Sequence, residues 1–480
     1  MAQNPCDNRA ADGSATTISL CRVNTPDAST QWFNQQVNEV SAWGASIETT
    51  ARQPLSLDRS PRKGTITSMS AEAGFTSDQF LDNLAFYLDA LVFSQWKGAN
   101  PNGTESTGVT SAGYVVASGG AEFKTGDMVF VTGFANPSSN GIHVVDANST
   151  NTVIGVTGLT DESGVNARIY KAGHQFAIGS IMLSEDGNLE STSSSGDFMS
   201  LGLINGQHIY LTGFSDDVNG MARVRAVTSS RITLDNHSKK PTESFPDTAT
   251  LYFGSFVRSV SIDSPDYQCV PFTGEARYNT NPATHEYARG MLLNQIAFNN
   301  SLEDKTTLEV GFICSDVEAM TTVRLPGVHE DFERSEAFNT SADFSDLKLY
   351  IKGDESGDTT YFKDTTLTVN NNMSGESVLG KLGPEFINLG DFNVTIDTQV
   401  VLTDPRVASA IRNNTTCGLQ YTQQNNEGGI VVDIPSMTLG DGAKNIAANE
   451  KVKLTTTGSA FLENEHGYVI GFSLFPYLPR

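Results

Sequence analysis

Met69-Ser70-Ala71-Glu72-Ala73-Gly74-Phe75-Thr76-Ser77-Asp78-Gln79 is the stretch on which the reading of this chain turns. Met69, Ala71, Ala73 and Phe75 alternate with polar or small residues, the period-two pattern of a strand with one buried face. Thr76-Ser77-Asp78-Gln79 follows with capping-box spacing, and Phe80, Leu84, Leu88 and Leu91 then recur at helical intervals. A half-buried strand running straight into an amphipathic helix is predicted. The same order returns later. Ile396, Thr398, Val400 and Leu402 alternate, Thr403-Asp404-Pro405 offers a cap with proline at the first helical position, and Val407 and Ile411 share a face. Strand-like sequence follows each helix, at residues 256–262 and 307–313 after the first and at 429–434, 451–455 and 469–475 after the second. Two copies of one β domain, each with a single helix, account for this order.

Between the first helix and residue 255 lies a second kind of repeat. Gly126-Asp127-Met128-Val129-Phe130-Val131-Thr132-Gly133-Phe134 recurs as Gly206-Gln207-His208-Ile209-Tyr210-Leu211-Thr212-Gly213-Phe214, with Thr-Gly-Phe identical. Each copy proceeds to an Asn-Gly pair, Asn140-Gly141 and Asn219-Gly220, read as the φ > 0 residues of a tight hairpin. Each closes on a β-branched stretch and then Ala167-Arg168-Ile169-Tyr170 or Ala249-Thr250-Leu251-Tyr252. Two small β lobes result, separated by the Gly- and Ser-rich run 187–196. The expected organisation is an N-terminal arm (1–40) and a discontinuous first domain (41–98 with 255–325). An insertion (99–254) carries lobes at about 118–173 and 200–254, and a second domain covers 326–480. The fold class is mainly β, a duplicated sandwich or barrel domain with one helix per copy plus the two inserted lobes.

Composition narrows the function. The 480 residues carry 31 Lys+Arg against 55 Asp+Glu, a formal charge of −24. Such a chain repels phosphate over most of its surface, which argues against a sequence-reading nucleic-acid binder or an anionic-membrane binder. No run approaches the ~20 apolar residues of a membrane span, and the first residues do not read as a signal peptide. Cys6, Cys21, Cys269, Cys314 and Cys417 are widely spaced with no C-x-x-C; Cys6 and Cys21 either pair or are two free thiols.

The search for chemistry returns little. Gly375-Glu376-Ser377-Val378-Leu379-Gly380-Lys381 imitates a phosphate loop, but Leu382 stands where the magnesium-ligating hydroxyl belongs. His285-Glu286 opens like a zinc-protease helix, yet Arg289 replaces the second imidazole. No catalytic, cofactor or metal residues are assigned. One charge feature stands out: Arg52, Arg59, Arg62 and Lys63 crowd a loop-like segment with one acid, Asp58. It reads as a contact for acidic surface on a neighbouring copy, or as a solvated loop with incidental charge.

Residues 43–93 resemble the opening of a long-tailed bacteriophage (siphophage) tail tube protein. An early strand with Ser46-Ile47-Glu48 is followed by the Arg-rich loop, a second strand and the helix. Leu367-Thr368-Val369-Asn370-Asn371-Asn372, residues 392–402 and the helix at Asp404 resemble a second copy, as does the closing Val431-Val432-Asp433-Ile434-Pro435. The resemblance implies rings whose inner strands form one β-barrel around a lumen for DNA, stacked through the long loops, here residues 49–64 and 371–390. A two-domain subunit is similar to those forming homotrimeric, pseudo-hexameric rings. The implied partners are further copies, other tail proteins at the tube ends, and DNA that passes without specific binding. The implied location is the virion tail, after assembly in the host cytoplasm, and no enzyme activity is expected. The alternatives are a virion decoration or carbohydrate-binding adhesin module and, behind it, a polysaccharide hydrolase. Which residues face the lumen is not readable from sequence.

Overall fold

A computed structural model of the chain describes residues 13–52, 60, 62–192, 197–235, 238–243, 248–352, 358–359, 361–401 and 405–479. The fold is mainly β, as expected, and the described residues include two α-helices, Leu81–Leu91 and Pro405–Asn413. The chain divides into two compact units. One comprises Met1–Phe93, Gln268–Thr340 and Asp364–Thr398; the other comprises Ser94–Tyr267, Ser341–Lys363 and Gln399–Arg480.

The first unit is organised by an antiparallel ladder. Val37–Arg52 pairs with Arg62–Asp78, which pairs with Thr307–Cys314, then Thr284–Asn300, then Phe362–Asn370. Cross-strand neighbours in such a ladder point to the same side. One side carries Phe75, Val310, Ile296 and Val369 in one row and Leu308, Phe298 and Leu367 in the next, all buried. The sheet is open at Val37–Arg52, whose one ladder among the described residues is with Arg62–Asp78. A barrel is therefore not closed by these strands of a single chain.

The strand at Met69–Phe75 is longer than its alternation suggested, and it absorbs the expected helix cap. Arg62–Asp78 is continuous strand, so Thr76, Ser77 and Asp78 are ladder residues and the helix starts at Leu81. Its first turn is closed instead by Asn83, whose Oδ1 accepts from the Phe80 N–H at 3.1 Å while its Nδ2 donates to the Asp78 carbonyl at 2.7 Å. Phe80, Leu84, Leu88 and Leu91 are all buried, as the spacing predicted. So is nearly every other residue of this helix, because the N-terminal strands cover it. Thr17–Cys21 pairs with Phe272–Tyr278 and with Gln31–Gln35. Arg22 ion-pairs the buried Asp89, and the Phe33 ring lies tilted against Phe86 with centroids 5.4 Å apart. Residues read as an arm thus include core: Leu20, Cys21 and Trp32 are fully buried. Cys21 is a free thiol, while Cys6 and the Asp404 cap lie outside the described residues.

In the second unit, Pro405–Asn413 packs on Gly428–Asn445. That strand forms a meander with Thr416–Asn425 and Lys453–Ala460. The same unit holds two further apolar clusters. One includes Val109, Tyr114, Val129, Ile154 and Ile169; the other includes Leu189, Phe198, Ile209, Val224 and Ile232. Thr250–Tyr252 pairs with both Glu162–Gln175 and His208–Thr212, so one sheet joins the two clusters.

The repeated Thr-Gly-Phe has a physical reason. Gly133 and Gly213 have φ of +100° and +88°, and a Cβ at Gly213 would lie 1.7 Å from the Thr248 carbonyl oxygen. The following Phe134 and Phe214 are clamped by the asparagines. Each Phe N–H donates to an Asn Oδ1 (2.9 and 3.0 Å), and each Asn Nδ2 donates back to the Phe carbonyl (2.7 and 2.8 Å). Glu162 and Glu243 accept the next backbone N–H in each loop. Asn140 itself has φ −101°, so Asn closes the loop by side chain and only the glycine, Gly141 or Gly220, takes positive φ. This corrects the two-residue hairpin reading.

The two-sided ladder makes a clear stability contrast. Ile296→Ala should cost about 2–5 kcal/mol in chemical denaturation, as a cavity in a packed row. Thr368→Ala, on the opposite side of the same ladder, should stay within about 0.5 kcal/mol. Equal losses would show that both sides are packed.

Candidate functional site

The other side of the first unit's ladder is polar. Its rows read Asp78–Thr307–Asn299–Thr366, then Thr76–Glu309–Ala297–Thr368, then Gly74–Gly311–Gln295–Asn370, ending in Glu72–Ile313. No Lys or Arg occupies any of these positions. The amide and hydroxyl groups satisfy one another: Asn370 Nδ2 donates to Gln295 Oε1 at 2.9 Å, and Thr366 Oγ1 donates to Asn299 Oδ1 at 3.1 Å. Asp78 is offset by Lys305 at 2.6 Å from the turn beyond the ladder. Glu72 and Glu309 are exposed. Between them the facing glycines, Gly74 and Gly311, leave a trough of about 290 Å³. A Cβ at Gly74 would sit 2.9 Å from Ser41 Oγ. The surface can hold water and repel anions; it offers no base for gripping a phosphate.

The basic residues singled out from sequence lie at the far end of the first hairpin. Arg52 and Arg62 are direct cross-strand partners and Lys63 is exposed beside them, whereas Arg59 lies outside the described residues. The hairpin emerges from the core progressively, with Ile47 and Ile66 half-exposed. Segment 371–390 also forms a hairpin, Ser374–Ser377 with Pro384–Asn388. Its apolar tip was not singled out in the sequence, where the segment read as a failed phosphate loop and, through the resemblance, as one of the two long loops. Leu379 is fully exposed and Phe386 is 59% exposed. The Met69 N–H donates to the Leu382 carbonyl at 3.1 Å, which lays the second hairpin beside the first within this unit.

A buried charged cluster in the second unit was also missed. Arg223 Nη1 donates to both Asp433 oxygens at 3.0 and 2.9 Å, and its Nη2 reaches Asp235. Tyr468 donates to Asp433 at 2.6 Å. Burial works against the Asp235 charge, but His466 and Arg223 outweigh it and hold its carboxyl below the usual range. One signal was available: Asp433 interrupts the apolar run Ile430-Val431-Val432-Asp433-Ile434, and a charge there demands a buried partner. The described residues contain no group of three or more His, Cys, Asp or Glu able to hold a metal, and no helix long and apolar enough to cross a membrane.

His208 lies in the same neighbourhood, and burial lowers its pKa from near 6.5 to about 4, with nearby Asp433 opposing the shift. A folded pKa below the unfolded one means that its stabilising effect is full above pH 6.5 and is lost as pH falls toward 4. The loss is about 3 kcal/mol. Thermal melting between pH 7 and pH 4 should show that fall, and His208→Gln should flatten the slope. An unchanged slope in the variant would remove His208 as its source.

Comparison with curated proteins gives no match. The family model described as phage tail tube protein matches residues 13–460, spanning both units and the segment between the two helices. That match covers nearly the whole chain and fits a β-rich molecule whose assigned features are sheet faces and hairpins. The chain belongs to the phage tail tube protein family.

Proposed function

We propose that the chain is the structural subunit of a long-tailed phage tail tube, stacking as rings around a conduit for DNA ejection. The observation that carries this reading is the two-sided ladder: one side supplies core, and the other is a polar sheet without Lys or Arg. Turned toward a lumen, Glu72 and Glu309 would repel a DNA polyanion and let it slide. With −24 on the whole chain, DNA is then cargo and not a ligand.

Duplication within the chain supports three copies per ring, six domains in all. Along the chain, Arg62–Asp78, the helix Leu81–Leu91 and the three strands Phe272–Tyr278, Thr284–Asn300 and Thr307–Cys314 are followed in the same order by Asn393–Val401, the helix Pro405–Asn413 and the strands Thr416–Asn425, Gly428–Asn445 and Lys453–Ala460. The turns match as well: the ladders close at Asn299 with Thr307 and at Asn445 with Lys453, the same separation. The lobes at 118–173 and 200–254 are read as decorations on the outside. Other tail proteins would cap the tube ends in the virion, with assembly in the host cytoplasm.

Ring-to-ring contact is assigned to the two hairpins, with Arg52, Arg59, Arg62 and Lys63 on the first. The second adds Leu379 and Phe386, apolar side chains that water leaves unsatisfied until a neighbouring ring covers them.

Two measurements test this. Purified tubes carrying Glu72→Lys and Glu309→Lys should retain short labelled DNA at low salt where unaltered tubes release it; equal release would take this face out of the lumen. Leu379→Asp should shorten tubes at least tenfold in electron micrographs while leaving the monomer's melting temperature unchanged. Charge reversal at Arg59 and Arg62 should act in the same direction. Full-length tubes in both variants would remove the docking role of the hairpins.

A further inference from the structure

We infer that residues 321–330 are an acid-released strap over the core of the first unit, held closed while the His329 ring is neutral. Main chain ties both ends. At one end His285 and Thr321 exchange N–H···O=C bonds of 2.7 and 2.8 Å. At the other, Val328–Glu330 runs parallel to Gln31–Gln35, and the Val328 N–H donates to the Thr30 carbonyl at 2.8 Å. Two side chains hold the middle. Tyr287 Oη accepts from the Leu325 N–H at 2.8 Å, and Trp32 Nε1 donates to the Pro326 carbonyl at 3.1 Å. Leu325 packs against the buried cluster of Cys21, Trp32 and Tyr287.

The strap is anchored on Glu275, whose side chain is 1% exposed. Arg324, from the strap, donates to it through Nε at 3.0 Å and Nη2 at 2.7 Å. Tyr287 Oη donates at 3.0 Å and His285 Nδ1 at 2.8 Å. Burial works against the Glu275 charge, but Arg324 and Tyr287 outweigh it and hold its carboxyl below the usual range. Arg324 Nη2 also lies 3.0 Å from His329 Nδ1. A guanidinium has donors only, so His329 Nδ1 must accept and the ring proton sits on Nε2. That Nε2 is buried without a hydrogen-bond partner among the described residues, 3.8 Å from Glu275. The ring is stacked on Trp32 with centroids 5.4 Å apart.

A second proton on His329 can only go to Nδ1. It removes the bond from Arg324 and sets two cations against each other, while the Glu275 oxygens are already taken. Burial and then Arg324 hold the His329 pKa below its usual 6.5; His285 and Arg277 add to this, and Glu275 opposes it. The other charges nearby do not offset the new proton. His285 already gives its Nδ1–H to Glu275, so protonation at its Nε2 keeps that bond. Arg289 pairs with Glu318, and Glu330 alternates to the other side of its strand. A folded pKa below the unfolded one makes the strap's stability complete above about pH 6.5 and removes it as pH falls from there. The ladder between Phe272–Tyr278 and Thr284–Asn300 is main chain and is untouched by the proton. Opening is therefore local: Leu325 lifts away, and Cys21 and Trp32 are uncovered.

The test uses the unassembled full chain with Cys6→Ser and Cys269→Ser, in which Cys21, Cys314 and Cys417 are buried. The probe is 4,4′-dithiodipyridine, with rates normalised to a small thiol at the same pH and sites located by peptide mass spectrometry. From pH 7 to pH 5 the labelling of Cys21 should rise roughly tenfold or more, while Cys314 and Cys417 stay protected. His329→Gln keeps an acceptor for Arg324 but does not titrate, so its Cys21 rate should stay flat. A Cys21 rate that does not rise, or that rises equally in His329→Gln, would overturn the strap. Labelling of all three cysteines together would show global unfolding and would overturn it too. Amide hydrogen exchange on the unaltered chain, corrected for intrinsic rates, gives a reading free of any substitution. Protection at residues 322–327 should fall roughly tenfold over the same pH range while residues 307–313 hold; unchanged protection at 322–327 would overturn the inference.

Discussion

A sheet with one apolar and one polar side has to bury the first and leave the second in water, and the first unit is arranged around that requirement. Phe75, Val310, Ile296 and Val369 form a single row from four strands, of which Thr284–Asn300 and Thr307–Cys314 are consecutive and the other two are distant in sequence. Fully burying side chains of this size contributes roughly 1.5–3 kcal/mol each. Once the row is fixed, the helix at Leu81–Leu91 has only one place to bury its own apolar residues, and the N-terminal strands close over its outer side. The polar rows are then set by the pleat. Glu72, Glu309 and the amides occupy the opposite side because the alternation leaves them no other.

The second unit solves a different problem, that of carrying inserted lobes. One sheet joins the two lobes through Thr250–Tyr252, and Tyr477 near the C-terminus lies between Phe130 of one and Tyr252 of the other. Arg223, from the second lobe, reaches Asp433 in the meander strand. Desolvating these charges is costly, and the pair persists because each carboxylate oxygen and guanidinium nitrogen that faces inward has a partner. Removing the arginine would leave Asp433 and Asp235 buried without it, which ties lobe orientation to a small number of side chains.

Much of this was legible in the sequence because it depends on local periodicity. The strand into Phe75, the buried residues of the first helix, the lobes and their Thr-Gly-Phe repeat all follow from short-range pattern and turn chemistry. What was not legible depends on partners distant in sequence. Thr284–Asn300 reads poorly as one strand because it changes neighbours midway, so its buried positions shift from Tyr287 and Ala288 to Ile296 and Phe298. The helix cap was misassigned because Thr76–Asp78 suits a cap as well as a strand, and pairing with Thr307–Glu309 decides the matter. Residues 17–35 looked like an arm because their core contacts lie with residues near 275 and 330. The polar side was invisible for the same reason: four polar strands become one surface only after they are aligned.

The most direct measurement is a cryo-electron microscopy map of assembled protein at side-chain resolution. The expected result is a hollow tube with three copies per ring and the rows containing Glu72 and Glu309 facing the lumen. Tubes with those rows turned outward, or a compact monomer under every assembly condition, would contradict the central claim.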